Sequence, residues 1–265
     1  MDGPFDSAPI EEIALHHAPL VKVVTQVRFP KVPILNADQG LPSVQQDLRD
    51  EYPILRQQHS LGVVITSEGA TSQPQTDPLW LLRDKAGEWQ VSLTNSFVAL
   101  ETTSYTSRTD FISRFERVLS AIERVAEPVI YDRVGLRYIN RLEGQDILDD
   151  LPSLVRPEVL AAQAIPLGQK ALISHSLCDS QFVENEIRTQ VRWGILPPFA
   201  VLDPTTPATS ESSWILDIDI FVEESGDFST AAITSMNRGF GERAYRFFRW
   251  VVTPDFLQRF GGDST

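Results

Sequence analysis

The chain has 265 residues, of which 42% are hydrophobic and 9% aromatic, and its formal net charge is -13. This composition supplies a packed core and excludes disorder of the whole chain, while the acidity argues against nonspecific binding to nucleic acid or anionic membranes. The single cysteine, Cys178, excludes an intramolecular disulfide. The first residues lack the basic and apolar regions of a secretory signal, and no apolar run reaches the ~18 residues of a membrane span. The sequence therefore predicts a cytoplasmic protein without membrane association.

The first third of the chain alternates short strand patterns with loops. Residues 1–18 lack a clear period and are predicted to be loosely held. The alternating segment from Pro19 to Pro30 predicts the first strand. A helix is predicted from Ser43, with apolar residues at helical spacing as far as Leu55 and a kink or division at Pro53. The next elements are predicted to be a strand at 61–66, a loop at 71–77, a hairpin formed by 78–84 and 88–93, and a strand at 97–105.

The clearest helical pattern follows Ser107. Ser107 and Asp110, three residues later, resemble a capping box, and one apolar stripe continues from Phe111 to Val125. Pro128 is predicted to end this helix.

A long strand with two different faces is predicted at 129–142. Because side chains alternate across a strand, Val134, Leu136 and Tyr138 share a face directed at the core. Three arginines, Arg133, Arg137 and Arg141, share the other face, each about 13 Å from the next. This row of positive charge requires carboxylates of the same fold or an acidic partner.

The last half of the chain repeats the order of the first. Two short helices are predicted at 145–169, strands at 171–185, 186–196 and 214–222, and an exposed connection at 201–213. A long helix is predicted from about Thr230 to Val252, followed by a short one with Thr253 as its N-cap and Pro254 at its first position.

These elements predict an α+β fold with antiparallel sheets and long helices against one face. The two longest helices end about 125 residues apart, which also fits two similar halves arranged like a saddle. In that organisation, residues 1–18 form a loosely ordered start, 19–128 the first half and 129–265 the second. One large α+β domain is the alternative.

The main candidate site is a polar face shared by several predicted strands. Its members are charged residues at alternating positions: Arg133, Arg137, Arg141, Glu184, Glu186, Arg188, Arg192, Asp217 and Asp219. If the strands are neighbours, arginines and carboxylates lie opposite each other. One interpretation is a salt-bridged sheet face. The other is a groove that binds an anionic ligand or an acidic segment of a partner, because guanidinium groups match carboxylate and phosphate oxygens in pairs.

Two further patterns suggest alternative functions. Asp217 and Asp219 place two carboxylates on one side of a strand, as a metal-dependent phosphoester hydrolase would require, with Glu184 or Glu186 as the third ligand. The helix arginines at 238, 243, 246 and 249, interleaved with aromatic residues, could stack bases in a nucleic-acid binder or could simply flank the core. No cofactor-binding motif is present.

Three segments carry a family resemblance: APLVKVVTQVRFP near the start, VGLRYINRL at the centre and FRWVVTPDFLQRFG at the end. Together they resemble a sporadically distributed family of uncharacterised bacterial proteins, with Gly135–Asn140 as the most specific part. The resemblance implies a stand-alone bacterial protein, and a patchy distribution suits an accessory gene concerned with defence. It supplies no catalytic residues.

The sequence therefore predicts a non-enzymatic binding or interaction module that binds an acidic ligand or an unidentified protein partner. The alternatives are the hydrolase built on Asp217 and Asp219 and the nucleic-acid binder built on the arginine rows.

Overall fold

The structure is a computed structural model that describes residues 3–6, 12–36, 40–58, 61–66, 69–74, 78–168 and 171–262. In residues 61–66 and 69–74 it describes the backbone alone. The described chain combines α-helices with a large sheet, so the predicted mixed α+β class is confirmed.

The strands of the described chain are β1 (Leu20–Arg28), β2 (Ile54–Gln58), β3 (Leu61–Thr66), β4 (Gly69–Pro74), β5 (Leu79–Arg83), β6 (Trp89–Leu93), β7 (Phe97–Thr102), β8 (Ile130–Tyr131), β9 (Arg133–Glu143), β10 (Ser176–Glu184), β11 (Ile187–Leu196), β12 (Ser213–Val222) and β13 (Gly226–Asp227). The α-helices are α1 (Gly40–Leu48), α2 (Arg108–Ala126), α3 (Gln145–Leu154), α4 (Thr230–Val251) and α5 (Pro254–Arg259).

Nine of these strands form one sheet in the order β10-β11-β12-β9-β1-β7-β6-β5-β2. The neighbours β10, β11 and β12 pair antiparallel, as do β2, β5, β6 and β7. Two small two-stranded sheets pair β13 with β8 and β3 with β4. In the described chain, β10 and β2 are therefore the edge strands of the large sheet.

The chain divides into two compact units, each built from separated segments. The unit named here the β12 unit contains Met1–Val23, Arg137–Phe221 and Gly239–Thr265, and the α2 unit contains Val24–Leu136 and Val222–Arg238. The sequence instead predicts consecutive halves, 19–128 and 129–265. The difference arises because β1, β9 and α4 each contribute residues to both units.

In the α2 unit, helix α2 follows from its local sequence. The Ser107 side chain accepts a hydrogen bond from the backbone N–H of Asp110 at 3.1 Å, which satisfies one of the free donors at a helix start. The stripe that includes Phe111, Phe115 and Ile122 is buried. Glu127 ends the helix in the left-handed conformation, with φ 45°, immediately before Pro128. The predicted start and end of this helix are confirmed.

In the β12 unit, the buried face of β12 carries Trp214, Leu216, Ile218 and Ile220. Phe240, Phe247 and Val251 of α4 are also buried. The ring of Phe247 lies 6.0 Å from that of Phe182 on β10, so α4 packs on one face of this part of the sheet. Two described residues near the start of the chain also make contacts here: the Ile13 N–H donates to Tyr245 Oη at 2.7 Å, and Phe5 contacts Phe182.

The first helix is shorter than predicted. Helix α1 ends at Leu48, and the segment from Ile54 that the sequence assigns to the helix is strand β2, paired with β5. Pro53 explains the error because a proline disfavours helical geometry in the preceding residue and removes a backbone donor. The segment after Pro53 does not continue the helix and pairs with β5 instead.

Three other predicted boundaries are wrong. Residues 71–74 of the predicted loop belong to strand β4, while residues 75–77 lie outside the described chain. The second helix predicted within 145–169 is replaced by two short 3₁₀ turns, Pro157–Val159 and Ala161–Ala164. The strand predicted from residue 171 begins at Ser176.

No described helix combines the length and apolar character needed to cross a membrane.

Candidate functional site

The predicted polar face is present in the β12 unit, where one buried carboxylate lies between two arginines. Asp217 on β12 is 1% exposed. Arg137 on β9 donates to it from Nε to Oδ1 at 2.7 Å and from Nη2 to Oδ2 at 2.9 Å. Arg192, directly opposite Asp217 in the β11–β12 register, places Nη2 2.6 Å from Oδ2. We call these three residues the arginine–aspartate cluster.

The alternation of the strands brings the cluster together. Side chains at odd positions of β12 lie on the face opposite to Leu216 and Ile218, so Asp217 points away from this apolar face. The register then places Arg192 beside it. The prediction that arginine and carboxylate lie opposite each other across neighbouring strands is thus confirmed for this pair.

The connection after β11 covers the cluster. Ala200 and Leu202 of this segment pack against the buried residues Ile139, Leu196 and Ile215. The sequence predicts an exposed connection at 201–213, but Asp203 and Thr206 are largely buried. The prediction fails at these two positions because apolar residues near the start of the segment anchor it to the sheet, whereas most of residues 204–211 are exposed as predicted.

Two residues of the covering segment extend the cluster. Asp203 Oδ2 accepts a hydrogen bond from Arg137 Nη1 at 3.1 Å, and Asp203 Oδ1 accepts from the Thr205 N–H at 2.8 Å and from its hydroxyl at 2.6 Å. Thr205 Oγ1 also accepts a hydrogen bond from the ammonium group of Lys22, which is 3% exposed. The sequence signal that could have identified Asp203 is its own turn, Asp-Pro-Thr, which favours side-chain to backbone hydrogen bonds.

The electrostatics of the cluster are those of a satisfied ion-pair network. Burial by itself would raise the pKa of Asp203, but hydrogen bonds from Thr205 and the charges of Lys22 and Arg137 outweigh it and lower this pKa. Burial likewise would lower the pKa of Arg137, but the hydrogen bonds and charge of Asp217 raise it above its ordinary value. Both groups therefore stay charged at neutral pH and hold each other in place.

The metal interpretation of Asp217 and Asp219 is not favoured by this geometry. Both oxygens of Asp217 accept hydrogen bonds from guanidinium groups, which would repel a cation. In the part of the chain that the structure describes, no three His, Cys, Asp or Glu residues form a group able to hold a metal ion. The predicted third ligands are also elsewhere: Glu184 contacts α4, and Glu186 lies in the exposed turn after β10.

The remaining arginines of the predicted polar face, Arg133, Arg141 and Arg188, have neighbours outside the cluster. Arg141 donates to Glu143 at 2.5 Å and to the carbonyl of Pro207 at 2.5 Å. The guanidinium group of Arg133 lies over Gly135, where a Cβ would be only 2.7 Å from Nη1. Arg188 lies opposite Phe221 in the β11–β12 register. The row is therefore held at Arg137 and Arg141 by the residues of its own fold.

The glutamate predicted to share this face, Glu184, lies on the opposite one. The β10–β11 register assigns Asp179 to the side of Arg192, so the even-numbered Glu184 faces α4. There it accepts a hydrogen bond from Arg243 Nη1 at 2.6 Å. This bond lowers the pKa of Glu184, and the charge of Arg246 lowers it further.

A second group of arginines lies along α4. Arg243 pairs with Glu184, whereas Arg246 and Arg249 carry buried nitrogens that lack an acceptor. These are Nε of Arg246 and both Nε and Nη1 of Arg249, for which the described residues supply no hydrogen-bond partner. We call Arg246 and Arg249 the α4 arginine pair. Three residues apart on a helix, they are neighbours on its surface.

Comparison with known proteins does not assign this chain to a family: no protein-family model matches it, and no curated protein matches it.

Proposed function

We propose that the protein is a non-enzymatic binding module that takes a compact anionic group, a phosphate or a carboxylate, on the α4 arginine pair. The observation that carries this proposal is the set of buried guanidinium nitrogens on Arg246 and Arg249 that find no acceptor among the described residues. This moves the predicted anion site from the sheet face to the helix.

The physical reason is the cost of an unsatisfied buried donor. Each such group costs about 1–3 kcal/mol, and more when it is charged. An anion that reaches both arginines supplies the missing acceptors and forms charge-assisted hydrogen bonds, which are roughly twice as strong as neutral ones. Glu184, whose carboxylate feels the charge of Arg246, is already held by Arg243.

The contacts of the arginines on the sheet, by contrast, favour a structural role for these residues. Arg137 and Arg192 share the carboxylate of Asp217, and Arg141 is held by Glu143 and Pro207. A ligand that bound there would have to displace these internal partners. The ligand-binding role predicted for Arg133, Arg137, Arg141, Arg188 and Arg192 is therefore less well supported than the role of the α4 pair.

The overall charge of the chain defines the kind of anion. A net charge of -13 repels a long polyanion, whose binding depends on many phosphate contacts. A single phosphate or carboxylate group can be bound by two guanidinium groups. The proposal is accordingly a small anion or the acidic end of a ligand, in a cytoplasmic protein with the accessory role that the sequence resemblance implies.

The test is thermal unfolding of the purified chain with increasing inorganic phosphate or citrate at constant ionic strength. A ligand that binds the folded state alone raises the unfolding midpoint by mass action. We expect this rise in the wild type and its loss in the Arg246→Gln/Arg249→Gln double variant. The matched control is Arg124→Gln, an exposed helix arginine paired with Asp47, which should keep the full rise.

A second readout separates binding from a structural role. Without an anion, Arg249→Gln should leave the free energy of unfolding within about 0.5 kcal/mol or raise it, because it removes buried donors that have no acceptor. If Arg249 supported the fold, Arg249→Gln would instead lower the free energy of unfolding. An equal midpoint rise in the double variant would refute the proposal, and tight, salt-sensitive binding of single-stranded oligonucleotide would replace it with the nucleic-acid interpretation.

A further inference from the structure

Strand β10 is an open edge of the large sheet. It is nine residues long and pairs with β11 on one side along its whole length. Among the described residues, no backbone–backbone hydrogen bond joins β10 to a residue outside β11. The 3₁₀ turn at Ala161–Ala164 approaches β10, but the backbone N–H groups of Gln163 and Ile165 donate to Leu160 and Ala162 and not to β10. As far as the described residues are concerned, the outer N–H and C=O groups of β10 are therefore available to another strand.

This edge lacks the usual protection against pairing. Exposed edges are normally guarded by proline, by lysine or by charges that project outward. The segment SLCDSQFVE has no proline or lysine, and both of its acidic residues are drawn toward their own fold. Asp179 accepts hydrogen bonds from Gln190 at 3.0 and 3.2 Å, and Glu184 is held by Arg243.

We propose that β10 pairs antiparallel with β10 of a second copy of this chain, about a twofold axis at Ser180. This inference does not depend on the proposed anion site. A continuous sheet requires opposed residues to lie on the same face, so the centre must fall on a residue and not between two. The three central residues of the strand, Asp179, Ser180 and Gln181, are the candidates.

The chemistry of the side chains that would lie opposite each other favours Ser180 as the centre. A centre at Asp179 places this aspartate opposite its own copy, and like charges directly opposed destabilise a sheet. A centre at Gln181 leaves Ser176 and Leu177 unpaired and places Asp179 opposite Val183. A centre at Ser180 pairs all nine residues of the strand.

In the Ser180 register the side chains match. Leu177 lies opposite Val183 of the second copy, and these residues are 43% and 64% exposed in the single chain. Asp179 lies opposite Gln181, a carboxylate against an amide donor, and Cys178 lies opposite Phe182. Cross-strand pairs of these kinds are the units that stabilise a sheet. Exposed apolar residues at both ends of the strand thus gain apolar neighbours.

The first experiment measures the molar mass of the full chain by sedimentation velocity over a concentration series. We expect a dimer for the wild type and a dissociation constant raised at least tenfold by Leu177→Lys, which puts a charge opposite Val183. Adding Val183→Glu should restore most of the affinity, because each lysine then faces a glutamate of the other copy. The matched control is Gln58→Lys on β2, the other edge of the sheet, which should not change the dimer.

The second experiment tests the register directly. In a Cys178→Ser background, Ser180→Cys should be joined between chains by a short bifunctional maleimide, because opposed residues on neighbouring strands have Cβ atoms roughly 4.5–5.5 Å apart. Ser113→Cys on the exposed side of α2 should not be joined. Circular dichroism checks that each variant is folded.

A monomer at every concentration would overturn the proposal. A dimer that neither joins through position 180 nor recovers in the Leu177→Lys/Val183→Glu variant would also overturn it, because the contact would then lie on another surface. Recovery together with joining at position 180 supports the Ser180 register.

Discussion

Removal of Arg137 tests whether the arginine–aspartate cluster is a structural support. In Arg137→Met, the side chain keeps its apolar length, but Asp217 loses two hydrogen bonds and Asp203 loses one. Removing one partner of a buried ion pair costs about 3–5 kcal/mol because the remaining charge stays buried. Since Arg192 still contacts Asp217, we expect a loss near the lower end, about 3 kcal/mol.

The assay is urea unfolding followed by tryptophan fluorescence, which reports on this region because Trp193 and Trp214 lie on β11 and β12. Arg192→Met removes one charge-assisted contact from a partly exposed side chain and should cost about 1.5–2 kcal/mol. The Arg137→Met/Asp217→Asn double variant should lose less than the sum of its single changes, because the asparagine carries no charge to leave unpaired.

The control is Arg124→Met, whose exposed ion pair with Asp47 should contribute less than about 1 kcal/mol. If the free energy of unfolding of Arg137→Met lies within about 1 kcal/mol of the wild-type value, Arg137 does not support the fold. The interpretation of the sheet face as a binding groove would then be favoured.

The remaining predictions concern acid, a glycine and alkali. The lowered pKa of Asp203 contributes stability that is present above its ordinary pKa of 3.8 and is lost as the pH falls through the lower folded value, so Asp203→Asn should flatten the acid limb of stability below that pH in urea titrations. Gly194→Ala should destabilise the β10–β11 pair by several kcal/mol in unfolding measurements, because its φ is 144° and a Cβ would lie 1.9 Å from the Ser176 carbonyl oxygen. Burial, with the charge of Glu51, raises the pKa of Tyr52 to about 12. The contribution of this pKa shift to stability should therefore be lost as the pH rises from 10.0 through that value. In an ultraviolet titration, Tyr52→Phe should lack this late tyrosine ionisation.

Short-range patterns in the sequence determined a large part of this fold. The Ser107 cap, the apolar stripe of α2 and the stop at Pro128 all involve residues within one or two helical turns, so the sequence identifies them directly. The alternation of β9 and β12 likewise assigned Arg137 and Asp217 to polar positions and Val134 and Leu136 to buried ones.

Tertiary structure decided what those polar positions face. Alternation gives two faces to a strand but does not say which neighbour or covering segment each face meets. The register between β10 and β11 turned Glu184 toward Arg243, and the connection after β11 covered Asp217 and brought Asp203 to Arg137. Periods and caps arise from contacts between residues close in sequence, whereas burial and charge pairing arise from contacts between residues about 60 to 80 positions apart, which chain folding alone brings together.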